Sequence, residues 1–258
     1  MYNALILLML MLWGTKASTN EVNIYCGEWP VYCNNNGGLY FDIATAVYKQ
    51  TIKVNKIVLP YKRAISSMQH DKHGVILGTY NGEIENFAYS RFPVSVDVIA
   101  AYMQDRYVEG WKGVDSVTSG KVLLQKFWGL HKELNIPFYT EIDRRDIAYK
   151  LLLMGRYKYF ISDSVGFELP PNGLQMKLVK NIYTYPAFSH GPEGLNLKKI
   201  WNIRIVELYK NGELFNIYSK YPKNISQWGL LQAEFEKKKD SPISLWCSNQ
   251  HGSVLMCD

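Results

Sequence analysis

From Glu21 to Tyr221 the chain alternates short apolar runs with amphipathic helical stretches, and this alternation narrows the fold more than any other feature. "EVNIYC", "VNKIVL" and "GVILGT" read as strands. Between them "GGLYFDIATAVYKQ" places Tyr40, Ile43, Ala44 and Val47 on one helical face, and "RAISSMQ" forms a short helix. "VSVDVIAAYM" is a longer strand. The order βαβαβ predicts mainly parallel sheets covered by helices. The middle of the chain repeats it, with strands in "KVLL", "PFYTEI" and "YKYFIS" and helices in "KFWGLHKEL" and "DRRDIAYKLLLMG". Asp143 is the expected N-cap of the second of these helices and Gly155 its stop. "QMKLVKNIYTYP" is extended. "LNLKKIWNIRIVELYKNG" is a helix with Leu197, Ile200, Trp201, Ile205, Leu208 and Tyr209 on one face, ended by Asn211-Gly212. "GELFNIYSKYP" closes the pattern, burying Leu214, Ile217 and Tyr218.

At 258 residues, 47% of them hydrophobic, the chain has ample material for one large or two small cores. A net charge of +6 with no basic stripe argues against nucleic acid, and Lys237-Lys238-Lys239 reads as a solvated helix end. The start is an apolar run of ten residues, Ala4 to Trp13, too short to span a bilayer. With "Thr15-Lys16-Ala17" after it, residues 1–17 are expected to be a signal peptide cleaved near Ala17, making the protein soluble and exported. The four cysteines suit an oxidising compartment. Local pairs Cys26–Cys33 and Cys247–Cys257 are the expected disulfides, although four cysteines allow three connectivities.

The stretches "GEWPVY", "GGLYFDIATAV", "PYKRAISSM", "GTYNGEIENFAYSRFPVSV", "LLLMGRYKYFISDS" and "LNLKKIWNIRIVELYKNGELFNIYSKY", taken in order, resemble the extracellular solute-binding proteins of family 3. That family has the type II periplasmic binding protein fold. The resemblance implies a two-lobed α/β protein, with residues 20–104 plus 188–258 as lobe one and 105–187 as lobe two. "VSVDVIAAYM" and "KLVKNIYTYP" are then the hinge strands. It also implies a periplasmic protein, a monomer without cofactor or metal, that closes on a small-molecule ligand and delivers it to an ABC transporter. The alternatives are a ligand-sensing module for a separate receptor and an exported, dehydratase-like enzyme on the same fold.

The resemblance also implies where the ligand binds: Glu28, Trp29, Tyr61, Arg63, Thr79, Tyr80, Asn81, Glu85, Phe127, Trp128 and Asp163. Amino-acid binders of the family hold the ligand carboxylate with an arginine shortly after the strand matching "GVILGT". Here "GTYNGEIEN" carries Glu83, Glu85 and Asn86 instead, and the Gly-Thr that begins lobe two's first helix is replaced by "KFWG". Asp163 in "FISDS" matches the aspartate that meets the ligand's amino group. A cleft with Asp163 and Glu85, ringed by Trp29, Tyr61, Tyr80 and Trp128, favours an ammonium group on an apolar or aromatic body. Arg63 is open to two readings: it holds a ligand carboxylate, or it pairs with Glu28 or Glu85. Asp163 is alternatively a helix N-cap, Phe127 and Trp128 are alternatively ordinary packing, and Asp97 belongs to the hinge strand. No catalytic residue is nominated, because no G-x-S-x-G, HExxH or phosphate-binding glycine loop occurs. His70 and His73 lie in the turn "QHDKHG" with no third metal ligand nearby.

Overall fold

The computed structural model describes residues 21–49, 52–118, 121–126, 128–164 and 170–239. The expected signal peptide, Phe127, Cys247 and Cys257 lie outside these residues.

Among the described residues nine strands form one continuous sheet, ordered β2-β1-β3-β9-β5-β8-β6-β7, with β4 paired to β9 off that path. The strands are β1 (Glu21–Cys26), β2 (Lys53–Val58), β3 (Gly74–Tyr80), β4 (Phe87–Tyr89), β5 (Ser95–Gln104), β6 (Val122–Gln125), β7 (Thr140–Ile142), β8 (Tyr159–Asp163) and β9 (Leu174–Ser189). At both ends of the order the strands run parallel: β1 with β2 and β3, and β6 with β7 and β8. In the middle β5 and β9 are antiparallel to each other and to their neighbours. The sheet is therefore mixed, and its two parallel ends are joined only through the two long strands foreseen as the hinge.

Each end builds its own core. At the β1–β3 end, α1 (Leu39–Tyr48), α6 (Pro192–Lys210) and α7 (Glu213–Ser219) cover one face around the fully buried Trp201, Tyr48 and Tyr218. The helix α2 (Tyr61–Gln69) covers the other face with Ala64 and Met68. At the β6–β8 end, α5 (Arg145–Leu153) packs Ala148 and Leu152 on Tyr102 and Phe160. The opposite face is filled by Val117 of α3 (Val114–Thr118) and Leu130 of α4 (Leu130–Glu133), packed with Ile99 and Ile161. The short α8 (Pro222–Ile225) and α9 (Trp228–Lys238) return along the first core.

Local signals explain most element ends. Helix α6 buries Leu197, Trp201, Ile205 and Leu208 as its spacing requires, while Ile200 and Tyr209 are half-buried at the edge. It stops at Lys210 because Gly212 has φ +79°, a left-handed conformation that favours glycine. Three expectations are corrected. Asp143 does not cap α5, whose N-cap is Arg144 with no side-chain capping bond. "KFWGLHKEL" yields only the single turn of α4, since Gly129 sits at φ +61° in front of it. Lys238 is not part of a solvated end: its ammonium bonds the Arg91 carbonyl at 3.2 Å and pairs with Glu234 at 2.7 Å.

Cys26 and Cys33 form the expected disulfide. Closing a loop this short restricts the unfolded chain by about 2–3 kcal/mol. The double variant Cys26→Ser/Cys33→Ser is therefore expected to lose about that much stability, read from the midpoint of a urea titration.

Candidate functional site

A cavity of about 480 Å³ opens between the two ends of the sheet. One wall is Tyr61, Lys62 and Ile65 of α2 with the turn Tyr80–Glu83, and the other is Gly129 to Glu133 with Glu141. The turn after β3 makes the acidic corner of the first wall. Gly82 takes φ +78°, which brings Glu83 back so that its N–H donates to the Tyr80 carbonyl at 3.1 Å. The Glu83 carboxylate in turn accepts the Tyr80 N–H at 2.9 Å and the Tyr61 hydroxyl at 3.0 Å. Burial raises the Glu83 pKa, and those two hydrogen bonds only partly offset it.

The disulfide loop supports the Tyr61 side. Trp29 and Cys33 exchange backbone hydrogen bonds of 2.9 and 2.7 Å, which folds the loop back on itself. The Trp29 indole then lies 5.2 Å from the Tyr61 ring. It also lies over Gly78, where an added Cβ would meet it at 2.7 Å, so only glycine allows this approach.

Two more carboxylates lie behind Tyr80, outside the residues that line the cavity. Asp97 is on β5, and its carboxylate accepts the Tyr80 hydroxyl at 3.0 Å. Asp163 ends β8 directly opposite Ile99 of β5. Asp97 and Asp163 are therefore diagonal neighbours on one face, with Cα atoms about 7–8 Å apart. Burial pushes Asp97 up to about 7, and the negative charge of Asp163 adds to that. Burial also pushes Asp163 up to about 6, held back by Arg145. Arg145 donates to the Asp163 carboxylate at 2.9 Å, to its carbonyl at 3.1 Å and to Ser162 Oγ at 2.7 Å. Its other nitrogen donates to the Tyr102 hydroxyl at 3.0 Å, and the guanidinium stands over the Tyr102 and Phe160 rings.

The raised Asp97 pKa fixes the sign of a stability effect. The folded protein holds this proton more tightly than the unfolded chain, so stability is full below the unfolded value of about 4. It is lost as pH rises through about 7. Asp97→Asn is thus expected to melt at least about 3 °C above the native protein near pH 8 and to lose that gain near pH 5. Thermal melts followed by circular dichroism check this.

Of the sequence-derived candidates, the cavity brings together Tyr61, Tyr80 and Asn81, with Trp29 behind Tyr61. Glu28, Arg63 and Glu85 are exposed, and among the described residues Arg63 forms no ion pair with either glutamate. Thr79 is fully buried, its hydroxyl donating to the Tyr185 carbonyl at 2.8 Å. Trp128 packs against the second core. Asp163 ends β8 and bonds Arg145 within its own end of the sheet. His70 and His73 are exposed, and no group of three metal-binding side chains occurs among the described residues. Glu83, Asp97 and Arg145 are the additions. Glu83 was signalled by "YNGE", an Asn-Gly turn that returns the next residue to the strand end. Asp97 was signalled as a lone charge inside an otherwise apolar strand.

No family model matches the chain, and no curated protein matches it by sequence. Solved structures do match. One is an ABC uptake transporter substrate-binding protein from Streptococcus pneumoniae with bound histidine, 17% identical over 79% of this chain and 93% of that one, at TM-score 0.58. A second is a histidine kinase sensor domain with similarity to periplasmic binding proteins, 15% identical over 78% and 95%, at TM-score 0.59. This chain has the type II periplasmic-binding-protein fold. A third structure of this fold is the ancestral amino-acid-binding protein AncCDT-1, a precursor of cyclohexadienyl dehydratase, 16% identical over 78% and 95%, at TM-score 0.59. The likeness is one of architecture. In this periplasmic-binding-protein fold, the cavity of Tyr61, Tyr80 and Glu83 lies in the crevice beyond the carboxyl end of β3, where open α/β sheets bind ligands.

Proposed function

We propose that the protein is an exported solute-binding protein that captures a small ligand carrying an ammonium group in the cleft between two lobes. The segments up to residue 104 together with those from 188 form one lobe, and 105–187 the other, with β5 and β9 as the hinge. The lobes close on the ligand, and the loaded protein hands it to a membrane transporter.

One observation carries the ligand class. Glu83 lines the cavity, half-buried Asp97 lies behind it on the Tyr80 hydroxyl and buried Asp163 lies beside Asp97, and of these carboxylates Asp163 is matched by the largely covered guanidinium of Arg145. Lys62 and Lys132 line the cavity, but both are exposed. A ligand carboxylate entering here would be repelled and left without a buried cation, whereas an ammonium group would meet charge of opposite sign in a poorly solvated site. Tyr61, Tyr80 and Trp29 supply rings for its apolar body. Export is supported by the disulfide, which persists in oxidising compartments, and no described helix is long and apolar enough to cross a membrane.

Native and denaturing mass spectrometry of the purified protein tests this reading. A co-purified amine supports it. A co-purified carboxylic acid without an amino group contradicts it.

A further inference from the structure

His131 gives the second wall of the cavity a polar group that is held in one orientation. It belongs to the single turn α4 and lines the cavity together with Gly129, Lys132 and Glu133. That wall lies close to the first, since the charges of Glu133 and Lys132 both act on the Glu83 carboxylate. The His131 carbonyl accepts the Ile136 N–H at 2.9 Å, which closes the turn. Its imidazole stacks on the Tyr139 ring, with centroids 4.8 Å apart and planes 18° from parallel. The two ring nitrogens have different surroundings. Nδ1 is sealed from solvent without a hydrogen-bond partner. Nε2 is not sealed, the residue is half-exposed, and no described residue bonds this nitrogen. In the neutral imidazole one nitrogen carries the proton and the other accepts. A proton on Nδ1 would be a buried donor with no acceptor, the rarer and costlier of the two defects. The proton therefore sits on Nε2, on the open edge of a ring that lines the cavity. Lys132 also donates from this wall, but it is exposed, whereas the stack on Tyr139 aims the His131 ring.

We propose that His131 determines which amines the cleft accepts: its Nε2–H donates to an uncharged oxygen on the body of the ligand while the ammonium group lies at Glu83. The ligand class narrows accordingly, to amines that carry an ether, carbonyl or hydroxyl oxygen on their apolar part. An amine with bare hydrocarbon at this point covers the Nε2–H without pairing it, which costs affinity. The contact rests on the cleft reading above and adds a second anchor to it, so amine binding can stand while the contact fails.

Two measurements on the full-length protein test it. Long-range proton–nitrogen correlation spectra, recorded with nitrogen-labelled histidine, show which ring nitrogen carries the proton, and the His131 signals are identified by their Overhauser contacts with Tyr139. The Nε2–H form is expected, and a proton on Nδ1 overturns the proposal. Calorimetric titrations then compare phenethylamine with para-methoxyphenethylamine, which adds one neutral oxygen. The wild type is expected to prefer the methoxy amine about ten-fold, the upper range for one added hydrogen bond. His131→Phe keeps a ring for Tyr139 and is expected to lose that preference. No preference in the wild type, or an undiminished one in His131→Phe, overturns the proposal. If His131→Phe does not fold, His131→Leu replaces it under the same criterion. Failure of both amines to bind the wild type overturns the cleft reading and the proposal with it, whereas binding of both without preference overturns the proposal alone.

Discussion

Replacing Arg145 by alanine is expected to destabilise the protein by about 3–5 kcal/mol, the range for removing one partner of a buried ion pair. The pair is well enclosed, with the two side chains 16% and 9% exposed. Arg145 also satisfies Tyr102 and Ser162, and its guanidinium covers two rings, so truncation leaves hydroxyls and a carboxylate to be satisfied anew. The loss has a definite pH dependence. Asp163, already pushed up to about 6 by burial, is pushed higher once its cation is gone. Near pH 5 it takes up a proton and the cost shrinks, whereas near pH 8 a charge must be buried alone or neutralised against the solution. Urea titrations of wild type and Arg145→Ala at both values measure the difference. Arg145→Lys keeps the charge but not the fork that reaches Asp163, Ser162 and Tyr102 together, and it is expected to fall between the two.

Glu83→Gln is expected to weaken amine binding by about 2–5 kcal/mol, a loss of roughly thirty-fold or more. The glutamine side chain keeps an oxygen for the Tyr80 N–H and the Tyr61 hydroxyl, so the turn and the α2 contact survive while the charge disappears. Stability should therefore stay close to that of the wild type, and the effect should appear in the dissociation constant. Because burial raises the Glu83 pKa, the wild-type affinity is also expected to fall on acidification as this carboxylate takes up its proton. That dependence on Glu83 should be missing from the variant. Calorimetric titrations of both proteins with an arylalkylamine at two pH values check both points.

The alternation of strands and helices was legible because each element carries its own period, and the two long strands β5 and β9 were legible as extended segments. Where reading stopped, the reason was local. Glu83 and Glu85 are two residues apart in the same turn, and which one points inward depends on the left-handed conformations of Gly82 and Asn86, which composition does not rank. Asp163 was legible as a carboxylate at a strand end, but Arg145 comes from a helix that reaches it only after α5 has packed on β8 and β5. Thr79 sits at a strand end as pocket residues do, yet it faces β9 because its hydroxyl finds the Tyr185 carbonyl there. Contacts across the sheet decide these assignments, and sequence spacing does not report them.

Recognition of positive charge by the cleft is tested by a single calorimetric experiment. The ligand-free protein is titrated at neutral pH with phenethylamine, with phenylalanine, and with phenylpropionate, which share the ring and differ only in charged groups. The amine is expected to bind, the amino acid to bind more weakly, and the acid without an amino group not to bind. Binding of phenylpropionate as tight as that of the amine, or tighter, contradicts it and makes a cation the recognising group in place of Glu83, Asp97 and Asp163.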